Sequence, residues 1–380
     1  MSDSRFENFL KRMEAFGFKM DSRIEQRNAN GLLGMYAAEP IKKGTLLVKF
    51  PISMMIPRSD SIDFSGSPNE EVHSLVHALA TQLASKESIY ECYFEYCGTL
   101  EERQKRSVCF FSAEEFGILE QMNPLLAQLA YTSKTHWEHL VQTVSTKDPS
   151  LDRHSIMLAS LIYRERCWGK GLGFLPGIDL FNHNTKSNIS PQRAIVDGEK
   201  CIIIVADRDI NLGDEIKTTY GPKDMFKFAF NYDFFDPNDY HIVSYSSRIT
   251  QSITDGFTQK VVENLKNHYD LNVFEIDGVA RFLINESSAF FLEKGPNAAM
   301  VELASRIAIN NEAELRQGKA EEKTTARYLL YILQSFRKAN NVENIDKETL
   351  PEKLHTFHDV LTAELDTLCA NIQAIEPRCV

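Results

Sequence analysis

The chain has 380 residues, of which 43% are apolar and 25% charged, a composition typical of globular proteins with two or three domains. No apolar run approaches the ~18 residues that span a bilayer, and the charged N-terminal stretch lacks the apolar core of a secretory signal, so we expect no membrane partner. The net charge of −11 repels nucleic acid and favours basic partners such as Lys-rich protein segments.

The first part of the chain predicts a helix and then a pair of strands. Residues 1–24 are charged and helical in character, and we expect them to form an N-terminal helical segment. The stretch from Gly31 to Pro51 predicts two short strands joined by a turn into a hairpin, since Pro40 and Gly44 lie between two strand-like runs.

A helical region is predicted over about residues 57–155. Apolar residues recur there at helical spacing: Val72, Leu75, Val76, Leu79 and Leu83. Ser112 is followed by Glu115 three residues later, which is the pattern of a capping box at a helix start. Helical character continues through "LDRHSIMLASLIYRERC".

Strand character returns after this region. Residues Cys201–Ile210 predict a strand, and a turn over Asn211–Asp214 separates it from the strand "EIKTTY". Beyond about Asp236 the pattern is helical again, with apolar stripes in two segments: Leu329, Ile332, Leu333, Phe336, and then Leu354, Phe357, Leu361, Leu365, Leu368, Ile372. The outline is therefore β-rich, helical, β-rich and helical.

We expect no metal site. His73 and His77 lie four residues apart on a predicted helix, but "HSLVH" lacks the Glu of a zinc-binding HExxH motif, so the two histidines are expected on a solvated helix flank. The seven cysteines are scattered and form no CxxC pair. This pattern favours a reducing intracellular compartment, and a cytoplasmic or nuclear location, or both, is expected.

The segment "GFLPGIDLFNHN" raises a question about buried polar groups. It is largely apolar, yet it contains Asp179 and ends in Asn182-His183-Asn184. Because a buried carboxylate is costly unless it is paired or hydrogen-bonded, the segment predicts either a capped turn or a site. "NLGDEIKTTYGP" and "FNYDFFD" follow it in order, and this joint occurrence favours a site.

Together these motifs resemble a SET-domain protein methyltransferase of the Rubisco large-subunit lysine methyltransferase subclass. In that subclass a helical insertion splits the SET domain, and a helical substrate-binding domain follows. The resemblance implies an α+β fold: a β-rich SET domain with a knot-like crossing over about residues 25–236, interrupted at about 57–155, and then an all-α domain over 237–380. It also implies S-adenosyl-L-methionine as the cofactor and a Lys-bearing protein segment, from a non-histone protein, as the substrate. We expect a monomer.

The resemblance also assigns cofactor contacts. "GLLGMYAAEP" is similar to the family's opening glycine turn, which would lay the backbone of Leu33, Gly34 and Met35 against the cofactor. "ERCWG" is similar to a Ser-Arg-x-Phe-Gly motif, which would make Arg166 the partner of the cofactor carboxylate; Arg164 remains a competing arginine. "LPGIDLFNHN" would give Asn182 and His183 the adenosyl contacts.

The catalytic and channel residues follow from the later motifs. "GDEIKTTYG" would make Tyr220 the catalytic-position tyrosine, itself in contact with the cofactor, and "FNYDFFD" would place Tyr232 at the catalytic end of the lysine channel. Phe234 or Phe235 would then lie near the adenine. Trp168 and Asp179 complete the expected channel with Tyr232, since aromatic walls desolvate an ammonium and favour the neutral amine.

Three departures from the family pattern leave alternatives open. The opening Gly-x-Gly reads Leu32-Leu33-Gly34, Met225 stands where an Asn is usual, and Asp233 replaces a Gly. One alternative is a catalytically inactive SET-like module that binds protein. Another is a histidine N-methyltransferase, against which the bulky ring of Trp168 weighs slightly because it offers an imidazole no hydrogen bond.

Overall fold

A computed structural model of the protein describes residues 4–29, 32–67, 69–167, 173–220, 225–232, 234, 242–244, 271–276, 279–284, 290–292, 295–296, 301 and 322–379. The chain divides into two compact units. Unit 1 comprises residues 1–105 and 135–221, and unit 2 comprises residues 106–134 and 222–380. This division differs from the predicted domains, because residues 1–24 join unit 1 and residues 106–134 of the predicted insertion join unit 2.

Two four-stranded sheets form the β-rich part of unit 1. The strands are β1 (Lys19–Met20), β2 (Ile24–Ala29), β3 (Leu32–Ala37), β4 (Leu46–Pro51), β5 (Asn182–His183), β6 (Ile189–Val196), β7 (Glu199–Ala206) and β8 (Glu215–Thr218). The first sheet has the order β1-β4-β7-β6, and the second has the order β2-β3-β8-β5. The second sheet contains the segments that the sequence motifs single out.

The predicted hairpin between β3 and β4 is wrong, because these strands lie in different sheets. Strand β3 pairs instead with β2, in a register that runs from Ile24 opposite Ala37 to Ala29 opposite Leu32. The two residues between these strands are Asn30 and Gly31, a pair typical of two-residue hairpin turns. Asp197-Gly198 has the same chemistry between β6 and β7.

The first half of the chain contains several α-helices. They are α1 (Ser4–Glu14), α2 (Glu70–Ala84), α3 (Glu91–Cys97), α4 (Leu100–Gln104), α5 (Ala113–Met122), α6 (Pro124–Lys147) and α7 (Arg153–Arg166). In unit 1, α1 packs on α3 and α2 packs on α7. The capping box of Ser112 and Glu115 is present at the start of α5. The side chain of Asp152 caps α7, the helix that ends at Arg166.

Unit 2 mixes helices with strands. Its later elements are α8 (Met225–Tyr232), β9 (Ile242–Ser244), β10 (Leu271–Ile276), β11 (Val279–Ile284), β12 (Phe290–Leu292), β13 (Gly295–Pro296), α9 (Glu322–Ala339) and α10 (Glu352–Ile375). The α+β class is confirmed, but the expectation of an all-α domain after residue 237 is wrong for the described strands β9–β13. Strands β10 and β11 pair antiparallel, and the alternating runs around Asp277-Gly278 in the sequence are a hairpin signal.

Candidate functional site

The two most specific motifs of the sequence meet in the second sheet of unit 1. Strand β5, which consists of Asn182 and His183, pairs in parallel with Lys217 and Thr218 of β8. The backbone N–H of Asn184 extends the pairing by donating to the carbonyl of Thr218 at 2.8 Å. Segments more than thirty residues apart therefore lie side by side.

His183 and Phe181 fix both ends of Tyr220. The backbone N–H of Tyr220 donates to Nδ1 of His183 at 3.0 Å, and the Tyr220 hydroxyl donates to the carbonyl of Phe181 at 3.0 Å. Because Nδ1 accepts this bond, a neutral imidazole of His183 carries its proton on Nε2. The predicted catalytic tyrosine is therefore a phenol held at both ends.

Asn182 connects this strand to the glycine turn. Its amide donates to the carbonyl of Leu33 at 2.9 Å and to the Glu215 carboxylate at 2.9 Å. Gly34 is required here because a Cβ at this position would lie 2.5 Å from Oε1 of Glu215 and 3.0 Å from Nδ2 of Asn182. The structure thus brings Leu33, Gly34 and Asn182 together, as the sequence predicts. Met35 is fully buried, so only its backbone could line a site.

Glu215 is a site residue that the sequence analysis missed. Besides accepting from Asn182, its carboxylate pairs with the Lys217 ammonium at 3.0 Å. The pKa of Tyr36 is raised by burial and then by the negative charge of Glu215. The sequence contained a signal for this role. Strand β8 leads to Tyr220, and alternation along a strand places residues 215 and 217 on the same face.

A second group of polar residues surrounds Asp179 and answers the question that its burial raises. Oδ2 accepts from Nη1 of Arg166 at 2.6 Å and from the Tyr93 hydroxyl at 2.8 Å, and Oδ1 accepts from the backbone N–H of Gly177 at 2.9 Å. The Asp179 side chain is 2% exposed. A buried carboxylate with three donors is satisfied. Its predicted role as a channel wall stays a prediction.

Gly177 fits this group for two reasons. Its φ of +96° lies in the left-handed region, which glycine adopts without strain. A Cβ there would also lie 2.9 Å from the ring of Phe9 and 3.1 Å from the ring of Phe18. The resulting turn points its N–H at the carboxylate of Asp179.

Tyr93, Tyr96 and Cys97 interact electrostatically with Asp179 and Arg166, and these three side chains carry no charge at physiological pH. Burial raises the pKa of Tyr96 to about 12 and that of Cys97 to about 11, and it raises the pKa of Tyr93 well above its usual value. The charges of the cluster are therefore those of Arg166 and Asp179. Arg166, and not the competing Arg164, is the arginine that forms this ion pair.

Arg166 retains hydrogen-bonding capacity after it has paired with Asp179. A guanidinium has five N–H donors, of which Asp179 takes one from Nη1. Within the described part of the chain, Nε of Arg166 is buried without a hydrogen-bond partner, while the side chain as a whole is 25% exposed. Such a donor set fits a bound carboxylate.

The remaining predicted site residues belong to unit 2 or fall outside the described residues. Tyr232 and Phe234 belong to unit 2, where their ring centroids are 6.3 Å apart and Tyr232 lies 5.5 Å from Phe228. Trp168, Asp233 and Phe235 fall outside the described residues. The roles of these residues stay predictions. Met225 is fully buried at the start of α8.

The expected position of the two α2 histidines is wrong. His73 and His77 are 2% and 3% exposed; His73 hydrogen-bonds Ser67 at 2.7 Å and His77 hydrogen-bonds Asp148 at 2.9 Å. Loops that cover this helix bury the flank that the sequence alone assigned to solvent. Among the described residues there is no cluster of potential metal ligands. No helix in those same residues is long and apolar enough to cross a bilayer.

Comparison with known proteins supports the SET-domain fold. A family model for the SET domain matches residues 33–221. The structure of the SET domain of LSMT bound to methyllysine and AdoHcy is similar at a TM-score of 0.69, with 14% identity and coverage of 100% of this chain and 93% of that chain. Rubisco LSMT bound to sinefungin and monomethyllysine gives 0.66, with 14% identity and coverage of 99% and 92%.

Rubisco LSMT bound to AdoMet gives a TM-score of 0.65, with 15% identity and coverage of 99% of this chain and 92% of that chain. No curated protein sequence matches this chain.

Proposed function

Because this chain carries a SET domain within the fold of the Rubisco LSMT structures, we propose that it is an S-adenosylmethionine-dependent methyltransferase that acts on a lysine side chain of a non-histone protein. The observation that carries the proposal is the fixed phenol of Tyr220 beside Asn182 and His183. The lysine and AdoHcy bound to LSMT support the substrate and cofactor classes. The net charge of −11 is compatible with a basic protein segment and disfavours nucleic acid.

The residues present fit the proposed cofactor at two points. At the glycine turn, the Glu215 carboxylate takes the space that the missing side chain of Gly34 leaves. Asn182 holds the carbonyl of Leu33, and Leu33, which is 39% exposed, is the part of the turn that could contact a ligand. The Nε donor of Arg166, which has no hydrogen-bond partner among the described residues, fits the carboxylate of an amino acid. S-adenosylmethionine would supply there a methyl group on a positively charged sulfur, which is electrophilic.

The protein's contribution is to position the acceptor amine and to keep it neutral. A free lysine has a pKa near ~10.4, so its amine must lose a proton before it can act as a nucleophile. Desolvation favours the neutral amine. The Tyr220 hydroxyl, which donates its proton to the Phe181 carbonyl, would orient the amine. Orientation of this kind supplies much of the rate enhancement in bimolecular displacements.

The test combines cofactor binding with transfer. Thermal unfolding is measured with and without S-adenosylhomocysteine, since a ligand at 100 times its Kd adds roughly 2.7 kcal/mol to native stability. Transfer from tritiated S-adenosylmethionine is then measured on an array of Lys-containing peptides and on matched arrays with Lys→Arg or Lys→His. We expect label on Lys peptides only.

Tyr220→Phe is the decisive variant. It removes one hydroxyl and the hydrogen bond to the Phe181 carbonyl but keeps the ring, so we expect the fold and the thermal shift with S-adenosylhomocysteine to be retained while transfer is abolished. Full activity of Tyr220→Phe would overturn the assignment of this tyrosine. Absence of a thermal shift in the unmodified protein at millimolar ligand would instead favour an inactive protein-binding module, and label on the His array would favour histidine methylation.

A further inference from the structure

Two tyrosines of α3 contact the Asp179–Arg166 pair from the helical part of unit 1. Tyr93 donates its hydroxyl proton to Oδ2 of Asp179 at 2.8 Å, the same oxygen that Arg166 reaches at 2.6 Å. The Tyr96 ring also contacts the arginine, with Cζ of Arg166 5.7 Å from the ring centroid. Neither tyrosine belongs to the sequence motifs that predict the site.

Tyr93 cannot turn away from Asp179. Its side chain is fully buried, and aromatic rings surround it, with centroids 5.7 Å away for Phe9, 5.8 Å for Phe94 and 5.9 Å for Phe174. Because its pKa lies well above the usual value, the hydroxyl keeps its proton and remains a donor. Together with the Gly177 N–H on Oδ1, Tyr93 fixes the plane of the carboxylate.

Tyr96 is held as firmly from its outer side. Its hydroxyl accepts a hydrogen bond from Nε2 of Gln26 at 3.0 Å. Its ring lies 5.9 Å from that of Phe6 and 6.0 Å from that of Phe9 in α1. Arg166 lies over this ring, an arrangement in which the ring quadrupole attracts the guanidinium.

Fixing Arg166 in this way favours the binding of a second anion. A long arginine side chain has many rotamers, and a ligand pays for their loss unless the protein has already selected one. The Tyr93 hydroxyl also satisfies part of the negative charge of Asp179. Without it, Asp179 would draw further N–H groups of the same guanidinium, and these would no longer be available to another carboxylate.

We propose that Tyr93 and Tyr96 are positioning residues that hold the Arg166 guanidinium ready for the carboxylate of the amino-acid part of the cofactor. This inference rests on the proposed function, because it assumes that S-adenosylmethionine and S-adenosylhomocysteine bind at Arg166. It assigns the helical insertion a part in cofactor selectivity, in addition to any part in folding.

The experiment compares two ligands that differ only in charge at the carboxylate: S-adenosylhomocysteine and its carboxamide. Their dissociation constants are measured by titration calorimetry with the unmodified protein, Tyr93→Phe, Tyr96→Leu and the control Tyr90→Phe. Tyr90 also lies beside α3 and is buried, but its hydroxyl donates to the Met54 carbonyl at 2.8 Å. The control therefore removes an equivalent buried hydroxyl that does not contact the Asp179–Arg166 pair.

We expect Tyr93→Phe to weaken S-adenosylhomocysteine about tenfold, the effect of a lost hydrogen bond to a charged group, while the carboxamide changes less than about twofold. Tyr96→Leu likewise weakens the binding of S-adenosylhomocysteine, by roughly three- to fivefold, and leaves the binding of the carboxamide unchanged. Tyr90→Phe leaves both constants unchanged.

Equal weakening of both ligands by Tyr93→Phe and Tyr96→Leu would show that the tyrosines only support the fold, and unchanged S-adenosylhomocysteine binding would also overturn the proposal. If Tyr93→Phe fails to fold, the selectivity of Tyr96→Leu decides. If the unmodified protein binds neither ligand, the proposed function fails. If a tyrosine variant binds S-adenosylhomocysteine more weakly and still binds the carboxamide normally, the proposed cofactor site is present and the proposed function does not fail.

Discussion

Gly34→Ala tests the close packing between the glycine turn and the Asn182–Glu215 pair. The φ angle of Gly34 is not positive, so an alanine would cause no backbone strain at this position. The substitution would be opposed by steric clashes with neighbouring atoms. The new Cβ would lie 2.5 Å from Oε1 of Glu215, and 3.0 Å and 3.1 Å from atoms of Asn182 and Tyr36.

The size of the effect follows from what has to move. The Glu215 carboxylate must retreat by roughly 1 Å to reach van der Waals distance, but Asn182 and Lys217 hold it at 2.9 Å and 3.0 Å. Overpacking of this kind costs about 1–3 kcal/mol, and weakening the bond to Asn182 adds about 1 kcal/mol. Replacing glycine within a strand returns about 0.5–1 kcal/mol. We therefore expect a net loss of about 2 kcal/mol in the free energy of unfolding.

The assay is urea unfolding followed by tryptophan fluorescence. Trp137 and Trp168, the two tryptophans of the chain, fall within the residue ranges of unit 1, so the signal reports on the unit that contains Gly34. The control is the same substitution in a Glu215→Ala background, where the main clash is absent and the cost should fall below about 1 kcal/mol. An equal cost in both backgrounds, or no cost in the first, would refute the packing argument.

The remaining predictions concern stability in unit 1 and use the same urea assay. Arg103 is 1% exposed and pairs with Glu165 through two bonds of 3.0 Å and 3.1 Å. Arg103→Met should therefore lower the free energy of unfolding by about 3–5 kcal/mol, and adding Glu165→Leu should recover most of this loss. An additive loss in the double variant would contradict this prediction. Asp152→Ala should cost about 1 kcal/mol at pH 7, because its carboxylate accepts from the N–H of Ser155 at 2.9 Å. The side-chain and backbone hydrogen bonds from Ser155 lower the pKa of Asp152 below its usual value. The carboxylate therefore stabilises the folded state at pH values above the pKa of the unfolded state, and this stabilisation is lost as the pH falls through the pKa of the folded state. A stability difference between the variant and the unmodified protein that stays constant from pH 7 to pH 3 would contradict this prediction.

Sequence by itself determined the helices, because their signals are local. The apolar residues of α2 recur every three or four positions, and the capping box of Ser112 and Glu115 is complete within four residues. The same holds for the two C-terminal stripes, which form α9 and α10. The hairpin dipeptides Asn30-Gly31, Asp197-Gly198 and Asp277-Gly278 were also present in the sequence, and their use would have corrected the strand pairing and the all-α expectation.

The resemblance to the SET family also predicted Asn182, His183 and Tyr220 as residues of one site, and the structure brings these three residues together. The environments of the charged groups were not predictable in this way. That Asp179 pairs with Arg166 and Tyr93, that Glu215 meets Asn182, and that His73 and His77 are buried depends on which distant segments pack against them.

The reason is physical. A helix is specified by hydrogen bonds and side-chain contacts within four residues, so its signal lies in one short stretch of sequence. A strand has no such internal bonds, and its partner is selected by burial and by the path of the whole chain. The positions of the site residues along the chain were therefore set by the sequence, whereas their partners, burial and charge environment were decided only by the tertiary structure.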